Sequence, residues 1–196
     1  MGAGAVLVHE PTLDARDAAR ILRGEEVGRV SVQRLLGRLR PDCLRGLDLI
    51  FVPHWYCSFR VTLESARSQH VAEALWTMVD ALGGKVLRLA GEPPLVPRDL
   101  AALAPALALP PSIDREQAVA RARDGLRWDL RLRSRQRIAP RELELVAARL
   151  AHVPFWVGYY EGPGGQLRAR AVHGVAASVQ DGAFTQVLLR ALEAGV

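Results

Sequence analysis

Two cysteines and two histidines in the first half of the chain are the side chains with the most recognisable chemistry. His54 and Cys57 lie three positions apart, Cys43 precedes them and His70 follows them. Such a set could bind zinc, but residues three apart on a regular strand point to opposite faces, and the chain has no Cys-x-x-Cys pair. We therefore expect neither a metal nor a cofactor.

Cys57 is also a candidate nucleophile. A nucleophilic cysteine needs a nearby base and a lowered pKa, and the next residues, Ser58-Phe59-Arg60, do not match a phosphatase loop. A buried structural thiol is therefore favoured, and a non-enzymatic protein is favoured over an enzyme. If the chain is an enzyme with an unrecognised site, we expect His54, Cys57 and His152 to act in it.

A row of arginines suggests a binding surface. Of the 26 basic residues only Lys85 is a lysine, and the net charge is +5. After Gly125 apolar and charged residues alternate, which predicts a strand with a charged face. The row consists of Arg127, Arg131, Arg133, Arg135 and Arg137. Arginine pairs well with phosphates and carboxylates, so the row predicts a site for nucleic acid or another polyanion, unless neighbouring acids neutralise a solvated face.

Four aromatic residues form a second set of candidate binding residues. They are Trp55, Tyr56, Trp156 and Tyr159. Aromatic side chains contribute strongly to interfaces and equally to cores. We therefore interpret these residues either as the lining of a groove or interface, or as core packing.

Trp55 and Trp156 belong to a stretch that recurs in the chain, which indicates an internal duplication. Leu49, Val52, Pro53 and Trp55 recur 101 positions later as Leu150, Val153, Pro154 and Trp156. A helix start recurs as well. Thr12-Leu13-Asp14 and Ser112-Ile113-Asp114 each precede an apolar helical face, with Thr12 and Ser112 as predicted N-caps and Gly125 as the predicted end of the second helix.

The duplication organises the predicted elements. Strands are expected at 47–62 and 142–160, with Pro53 and Pro154 at an edge or bulge because proline cannot donate to a ladder. Returning strands follow at 70–81 and 167–174, the second after the turn at 161–166. A terminal helix closes each copy, at 97–108 and 181–194. The predicted fold is α+β, with two tandem copies of a helix plus a short antiparallel sheet packed together, at 1–110 and 111–196.

The length and composition predict a globular cytoplasmic protein. The chain has 196 residues with 49% hydrophobic content, enough to bury a core. No run approaches the length that spans a bilayer, and the first residues lack the pattern of a signal peptide. The two cysteines are interpreted as free thiols.

Three features of the first copy are shared with a known group of domains. They are the Val-Pro-x-Trp strand at 52–55, the hairpin that follows it and the Val-Asp-x-x-x-Gly turn at 79–83. In this order of elements the chain resembles tandem, mostly uncharacterised bacterial α+β domains of PepSY-like type. The second copy departs from the first, because His173-Gly174 replaces Asp80-Ala81. The resemblance implies a helix packed on a short antiparallel sheet and a non-catalytic binding or inhibitory module, and no functional residue is carried over from it.

Together these patterns predict a non-enzymatic binding or assembly module. Its aromatic strands and arginine-rich faces would contact a protein partner or a second copy of the chain. The alternative is a nucleic-acid-binding protein that uses the Arg127–Arg137 row.

Overall fold

The computed structural model describes residues 5–23, 44–65, 68–99, 106–133, 140–161 and 165–194. These ranges form three helices and eight strands. The helices are α1 (Ala15–Leu22), α2 (Arg115–Arg133) and α3 (Gly182–Ala194). The strands are β1 (Ala5–Val8), β2 (Leu44–Ser65), β3 (Ser68–Asp80), β4 (Val86–Leu89), β5 (Val96–Asp99), β6 (Leu107–Ala108), β7 (Pro140–Glu161) and β8 (Leu167–His173). The fold is α+β, as the sequence predicts. None of the described helices combines the length and hydrophobicity that crossing a membrane requires.

The chain divides into two compact units. Unit 1 contains Met1–Val52, Val96–Leu109 and His152–Val196, and unit 2 contains Pro53–Leu95 and Pro110–Ala151. The boundary falls within β2 and β7, so each of these 22-residue strands contributes to both units. Each unit therefore combines the helix of one predicted copy with the paired strands of the other.

Unit 2 is a helix packed on antiparallel strands. The strand order is β4-β3-β2, and β2 pairs with β3 from His54↔Asp80 to Ser65↔Ser68. Helix α2 covers one face, and its small side chains at Ala118 and Ala122 are fully buried. The core residues are Cys57, Phe59, Val61, Leu75, Val79, Ile113, Ala118, Ala122 and Leu126.

Unit 1 carries helices against both faces of its β7–β8 hairpin. Strand β7 pairs with β8 from Phe155↔His173 to Glu161↔Leu167, β1 pairs with β5, and β2 pairs with β6 in parallel. Helix α1 packs over the face that contains Tyr160, whose hydroxyl donates to the Leu22 carbonyl at 2.9 Å. On the other face the Phe155 ring lies 4.8 Å from the ring of Phe184 in α3.

An indole N–H binds the helix start in each unit. In unit 2 Trp55 Nε1 donates to the Ile113 carbonyl at 2.8 Å, and in unit 1 Trp156 Nε1 donates to the Leu13 carbonyl at 2.9 Å. Both carbonyls belong to the residue before a helix-capping aspartate. In each unit this bond attaches the N-terminal end of a helix to the equivalent strand position.

The turn after the second hairpin strand has the same hydrogen-bond pattern in both units. In unit 2 the carboxylate of Asp80 accepts the backbone N–H groups two and three residues later, at 2.9 and 3.1 Å. In unit 1 Nδ1 of His173 accepts the corresponding two N–H groups at 3.1 and 3.2 Å. The change from Asp80 in the first copy to His173 in the second therefore preserves these hydrogen bonds, because an imidazole nitrogen replaces the carboxylate oxygens.

The residues that follow Asp80 and His173 also make matching hydrogen bonds in the two units. Ala81 N–H donates to the Pro53 carbonyl at 3.0 Å, and Gly174 N–H donates to the Pro154 carbonyl at 2.7 Å. The carbonyls of Ala81 and Gly174 each accept two N–H groups from the segment that precedes a helix. Both prolines stand opposite these residues, one position beyond the residue pairs of each hairpin. Because proline has no N–H to return, the Ala81 and Gly174 carbonyls accept from the helix start instead.

The predicted strand after Gly125 is wrong. Residues 115–133 form one continuous helix, in which Ala118, Ala122 and Leu126 recur every four residues on the buried face. Gly125 does not end this helix. A Cβ at this position would lie 2.9 Å from Val86 Cγ1, so glycine allows α2 to approach β4 closely.

The predicted N-caps are also displaced by two residues. The side chain of Asp14 accepts the N–H of Asp17 at 2.8 Å, and the side chain of Asp114 accepts the N–H of Gln117 at 2.8 Å. Thr12 instead donates its hydroxyl to the Val175 carbonyl at 3.0 Å. Aspartate caps as well as a hydroxyl does and adds a negative charge at the helix N-terminus.

The terminal helix predicted at 97–108 is absent at its described residues. Residues 96–99 form β5, which pairs with β1, and residues 107–108 form β6, which pairs with β2. The predicted strands at 47–62, 142–160, 70–81 and 167–174 and the helix at 181–194 are confirmed by β2, β7, β3, β8 and α3.

Candidate binding site

A groove in unit 2 between helix α2 and strand β4 is the candidate site. Its volume is about 360 Å³. Its lining consists of Thr77, Val86, Leu87, Arg88, Gly125, Leu126, Trp128, Asp129 and Leu132. The close contact between Gly125 and Val86 forms the floor, because it brings the helix and the strand together.

Three large apolar side chains around this groove are exposed. The exposed fraction is 65% for Trp128, 66% for Leu132 and 45% for Leu87. Trp128 and Leu132 lie four residues apart, so they share one face of α2, while the buried face carries Leu126. Leu87 lies on β4, the outermost strand of unit 2 among those described.

Charged side chains surround the apolar ones. Arg88 donates to Asp129 at 2.7 Å across the groove, and both side chains are about a quarter exposed. Arg127 lies 3.6 Å from Asp124 on the exposed surface of α2. Since these contacts are partly or fully solvated, their contribution to stability is small, and the groove has the rim of polar residues that is typical of interaction surfaces.

The four aromatic residues predicted for binding are buried or half-buried. Tyr56 is 1% exposed and Trp55 packs against the unit 2 core. Trp156 is half-buried, and its indole N–H already binds the Leu13 carbonyl. Tyr159 is half-buried, and burial raises its pKa, with the charge of Asp48 and a hydrogen bond to it acting in the same direction. Their structural contacts correspond to the core-packing interpretation.

Only part of the arginine row can be placed. Arg127 and Arg131 lie one turn apart on α2 and are exposed. Arg133 is the last residue of that helix, and Arg135 and Arg137 lie outside the described residues. In a helix the rows 127/131 and 128/132 are adjacent, whereas a strand would place them on opposite faces. The structure therefore brings Trp128 beside the cations.

The residues suspected for catalysis are buried. Cys57 is 0% exposed, and burial raises the pKa of its thiol to about 11, although the charge of Arg115 acts in the opposite direction. A thiol that stays protonated at neutral pH is a poor nucleophile. His54 is 3% exposed. Cys43 and the side chain of His70 are outside the described part of the chain.

His152 lies within unit 1. Burial lowers its pKa, partly offset by the hydrogen bond of its Nε2 to the Leu109 carbonyl at 3.2 Å. Within the described ranges no group of three or more histidine, cysteine, aspartate or glutamate side chains has the geometry to hold a metal ion.

Sequence reasoning missed the groove because it ended the helix at Gly125 and assigned the second half of α2 to a strand. As a strand, Trp128 and Leu132 would share the buried apolar face with Leu126. The available signal was the four-residue spacing of Ala118, Ala122 and Leu126, which continues through Gly125 and places Trp128 off the buried stripe. No comparable local signal marks Val86 to Leu89 as the outer strand.

Comparisons with known proteins add no further identification. No protein-family model matches the chain, and neither a curated protein nor a solved structure matches it.

Proposed function

We propose that the chain is a non-enzymatic binding protein and that the groove of unit 2 is its binding site. The observation that carries this proposal is the exposure of Trp128 and Leu132 on one face of α2 beside the groove. Contiguous exposed apolar side chains with a polar rim are typical of interaction sites. Tryptophan also contributes more binding energy at interfaces than most residues.

We further propose that the protein consists of two copies of one unit, at 1–110 and 111–196, whose helices are exchanged between the copies. The matched bonds of Trp55 and Trp156, and of Asp80 and His173, support this proposal. So does the resemblance to tandem PepSY-like domains, which implies a binding or inhibitory module. A cytoplasmic location is part of the same proposal.

Selection of peptides tests the binding function. Random linear peptides displayed on phage are selected on the full chain and, in parallel, on Leu132→Ser and Leu167→Ser. Leu167 is the matched control, because it is a 70% exposed leucine of unit 1. We expect families of peptides to be enriched on the wild type and on L167S but not on L132S. Equal enrichment on all three proteins, or none on any, would contradict the proposal.

A nucleic-acid-binding function is the second candidate, because Arg127 and Arg131 lie beside exposed Trp128 on α2. Neutralising two phosphates of duplex DNA would give a slope of log affinity against log salt of about −1.8. Filter binding with single- and double-stranded DNA measures this slope, and the double variant R127S/R131S is expected to abolish retention. A wild type that retains no DNA at low salt excludes this candidate.

A further inference from the structure

The outer edge of β4 pairs with no other described strand and so offers positions for strand addition. Asp80 N–H donates to the Lys85 carbonyl at 2.9 Å, which sets the alternation of the antiparallel β3–β4 pair. In this alternation Val86 and Arg88 direct their backbone N–H and C=O groups away from β3. Among the described strands β3 is the one partner of β4. An extended segment can therefore form ladder hydrogen bonds with Val86 and Arg88.

Two cavities adjoin this edge. The groove beside α2 has a volume of about 360 Å³, and a second cavity of about 560 Å³ lies at the Leu89 end of the strand. The second cavity is lined by Ala74, Leu75, Trp76, Arg88, Leu89, Ala90 and Gly91. Trp76 pairs with Leu89, so both point to the face opposite Val86 and Arg88. An added strand would direct alternate side chains toward the two faces, and the groove beside α2 lies on one of them.

The charge around the edge indicates the chemistry of the added strand. The cations there are Lys85, Arg88, Arg127 and Arg131, and the acids in the same region are Asp124 and Asp129. Both acids are in ion pairs, Asp129 with Arg88 and Asp124 with Arg127, so these four cations exceed the two acids by two charges. A second copy of this chain would bring the same cations and a net charge of +5. Charge complementarity therefore favours an acidic segment over a second copy.

We propose that unit 2 binds an extended, acidic segment of a partner protein, which adds a strand to the outer edge of β4. Its apolar side chains contact Trp128 and Leu132, and its carboxylates pair with Arg131. This inference rests on the proposed function, because it defines the partner class and the binding mode of the same groove.

Hydrogen exchange measured by NMR tests the binding mode on the full chain. The probe is a capped peptide in which serine alternates with valine and glutamate in turn, so that the valines and glutamates share one face of the added strand. It is compared with the same peptide methylated on alternate backbone nitrogens and with a version that has lysine in place of glutamate. At about 10 Kd of the glutamate peptide, we expect exchange at the Val86 and Arg88 amides to slow about tenfold. Exchange at the Leu87 amide, which already faces β3, serves as the internal reference.

Substitutions test the chemistry of recognition. We expect Arg131→Ser to weaken binding of the glutamate peptide about three- to tenfold at low salt, since a charge-assisted pair is lost. Arg168→Ser is the matched control, because Arg168 is an exposed arginine of unit 1. The lysine peptide and the methylated peptide are expected to bind at least tenfold more weakly, about 1.4 kcal/mol or more.

Each contrary outcome removes a defined part of the proposal. If the selected peptides bind and L132S abolishes binding, but Val86 and Arg88 are not protected, strand addition is wrong while the binding function stands. If the lysine peptide binds as tightly as the glutamate peptide, the acidic chemistry is wrong. If the chain alone protects both amides at high concentration while its mass by light scattering doubles, a second copy occupies the edge and the proposal is overturned.

Discussion

Unit 1 and unit 2 share one arrangement of helix and hairpin but differ in the segment after the second hairpin strand. In unit 2 the chain after the Asp80 turn continues as β4, whose outer edge is open among the described strands. In unit 1 the chain after the His173 turn makes a single bridge, Val172↔Val179, and then enters α3. Phe184 of α3 packs on Phe155. The region equivalent to the open edge of unit 2 is thus followed by a second packed helix in unit 1.

The helices that pack on the two hairpins, α1 and α2, differ in length. Helix α1 has 8 residues and α2 has 19, so α2 continues past the position equivalent to the end of α1. This additional part carries Trp128 and Leu132. The residues that match between the units make the core and the turn, whereas Trp128 and Leu132 lie in the part of α2 beyond this match. The comparison therefore separates stabilising residues from candidate binding residues.

The largest effect is expected from a pair of leucines on α2. Leu126 is 1% exposed and Leu132 is 66% exposed. Leu126→Ala removes buried methyl groups and leaves a cavity, so we expect a loss of about 2–5 kcal/mol in the free energy of unfolding. Leu132→Ala should change stability by no more than about 0.5 kcal/mol. Urea denaturation measures both values, and similar losses for the two variants would show that the helix is oriented differently.

An intermediate effect is expected from the two indole hydrogen bonds. Trp55→Phe and Trp156→Phe each leave one backbone carbonyl without its donor, the carbonyl of Ile113 or that of Leu13. We expect each to cost about 1–3 kcal/mol. If the units share one design, the two losses in thermal or urea denaturation should agree within about 1 kcal/mol. A loss in one variant and none in the other would contradict the equivalence of the two positions.

The smallest effect is a pH dependence that distinguishes unit 1. Burial lowers the pKa of His152, and of His9, below the ordinary value of 6.5. The folded state favours the neutral imidazoles, so the unfolded state binds more protons below pH 6.5. Stability is therefore full above that pH and falls as the pH drops toward the folded-state pKa, by at most about 1.4 kcal/mol per pH unit for each group.

The variant His152→Gln is the control for this slope. Its amide can still donate a hydrogen bond toward the Leu109 carbonyl but does not titrate. Urea denaturation between pH 7.5 and about pH 5 should show a shallower loss in H152Q than in the wild type, with a remainder to which His9 contributes. An unchanged slope would show that His152 does not contribute to the acid sensitivity.

The strands were predictable because their signals are local. The alternating apolar residues around Pro53 and Pro154, and the turn at 161–166, mark β2, β7 and β8 directly in the sequence. The second half of helix α2 was assigned to a strand because Leu126, Trp128, Leu130 and Leu132 alternate with charged residues. The helical spacing of Ala118, Ala122 and Leu126 is a weaker signal because it continues across Gly125, a residue that often ends helices.

The remaining features depend on contacts distant in sequence. Residues 96–99 form a strand because they pair with β1, some ninety positions away, and no local pattern specifies that partner. The choice of strands under each helix is also nonlocal: α1 packs with β8, and α2 packs with β3 and β4. The exposure of Trp128 follows from that choice, so the binding groove could not be located before the helix was placed.

Fluorine NMR of the chain labelled with 5-fluorotryptophan tests most directly whether Trp128 forms an open binding site. Trp→Phe variants assign the signals of its four tryptophans. We predict that Trp128 shows the largest shift between H₂O and D₂O, and that its signal moves on addition of the glutamate peptide while those of Trp55 and Trp156 stay in place. A Trp128 signal that is insensitive to both D₂O and the peptide would contradict the open groove and its proposed function.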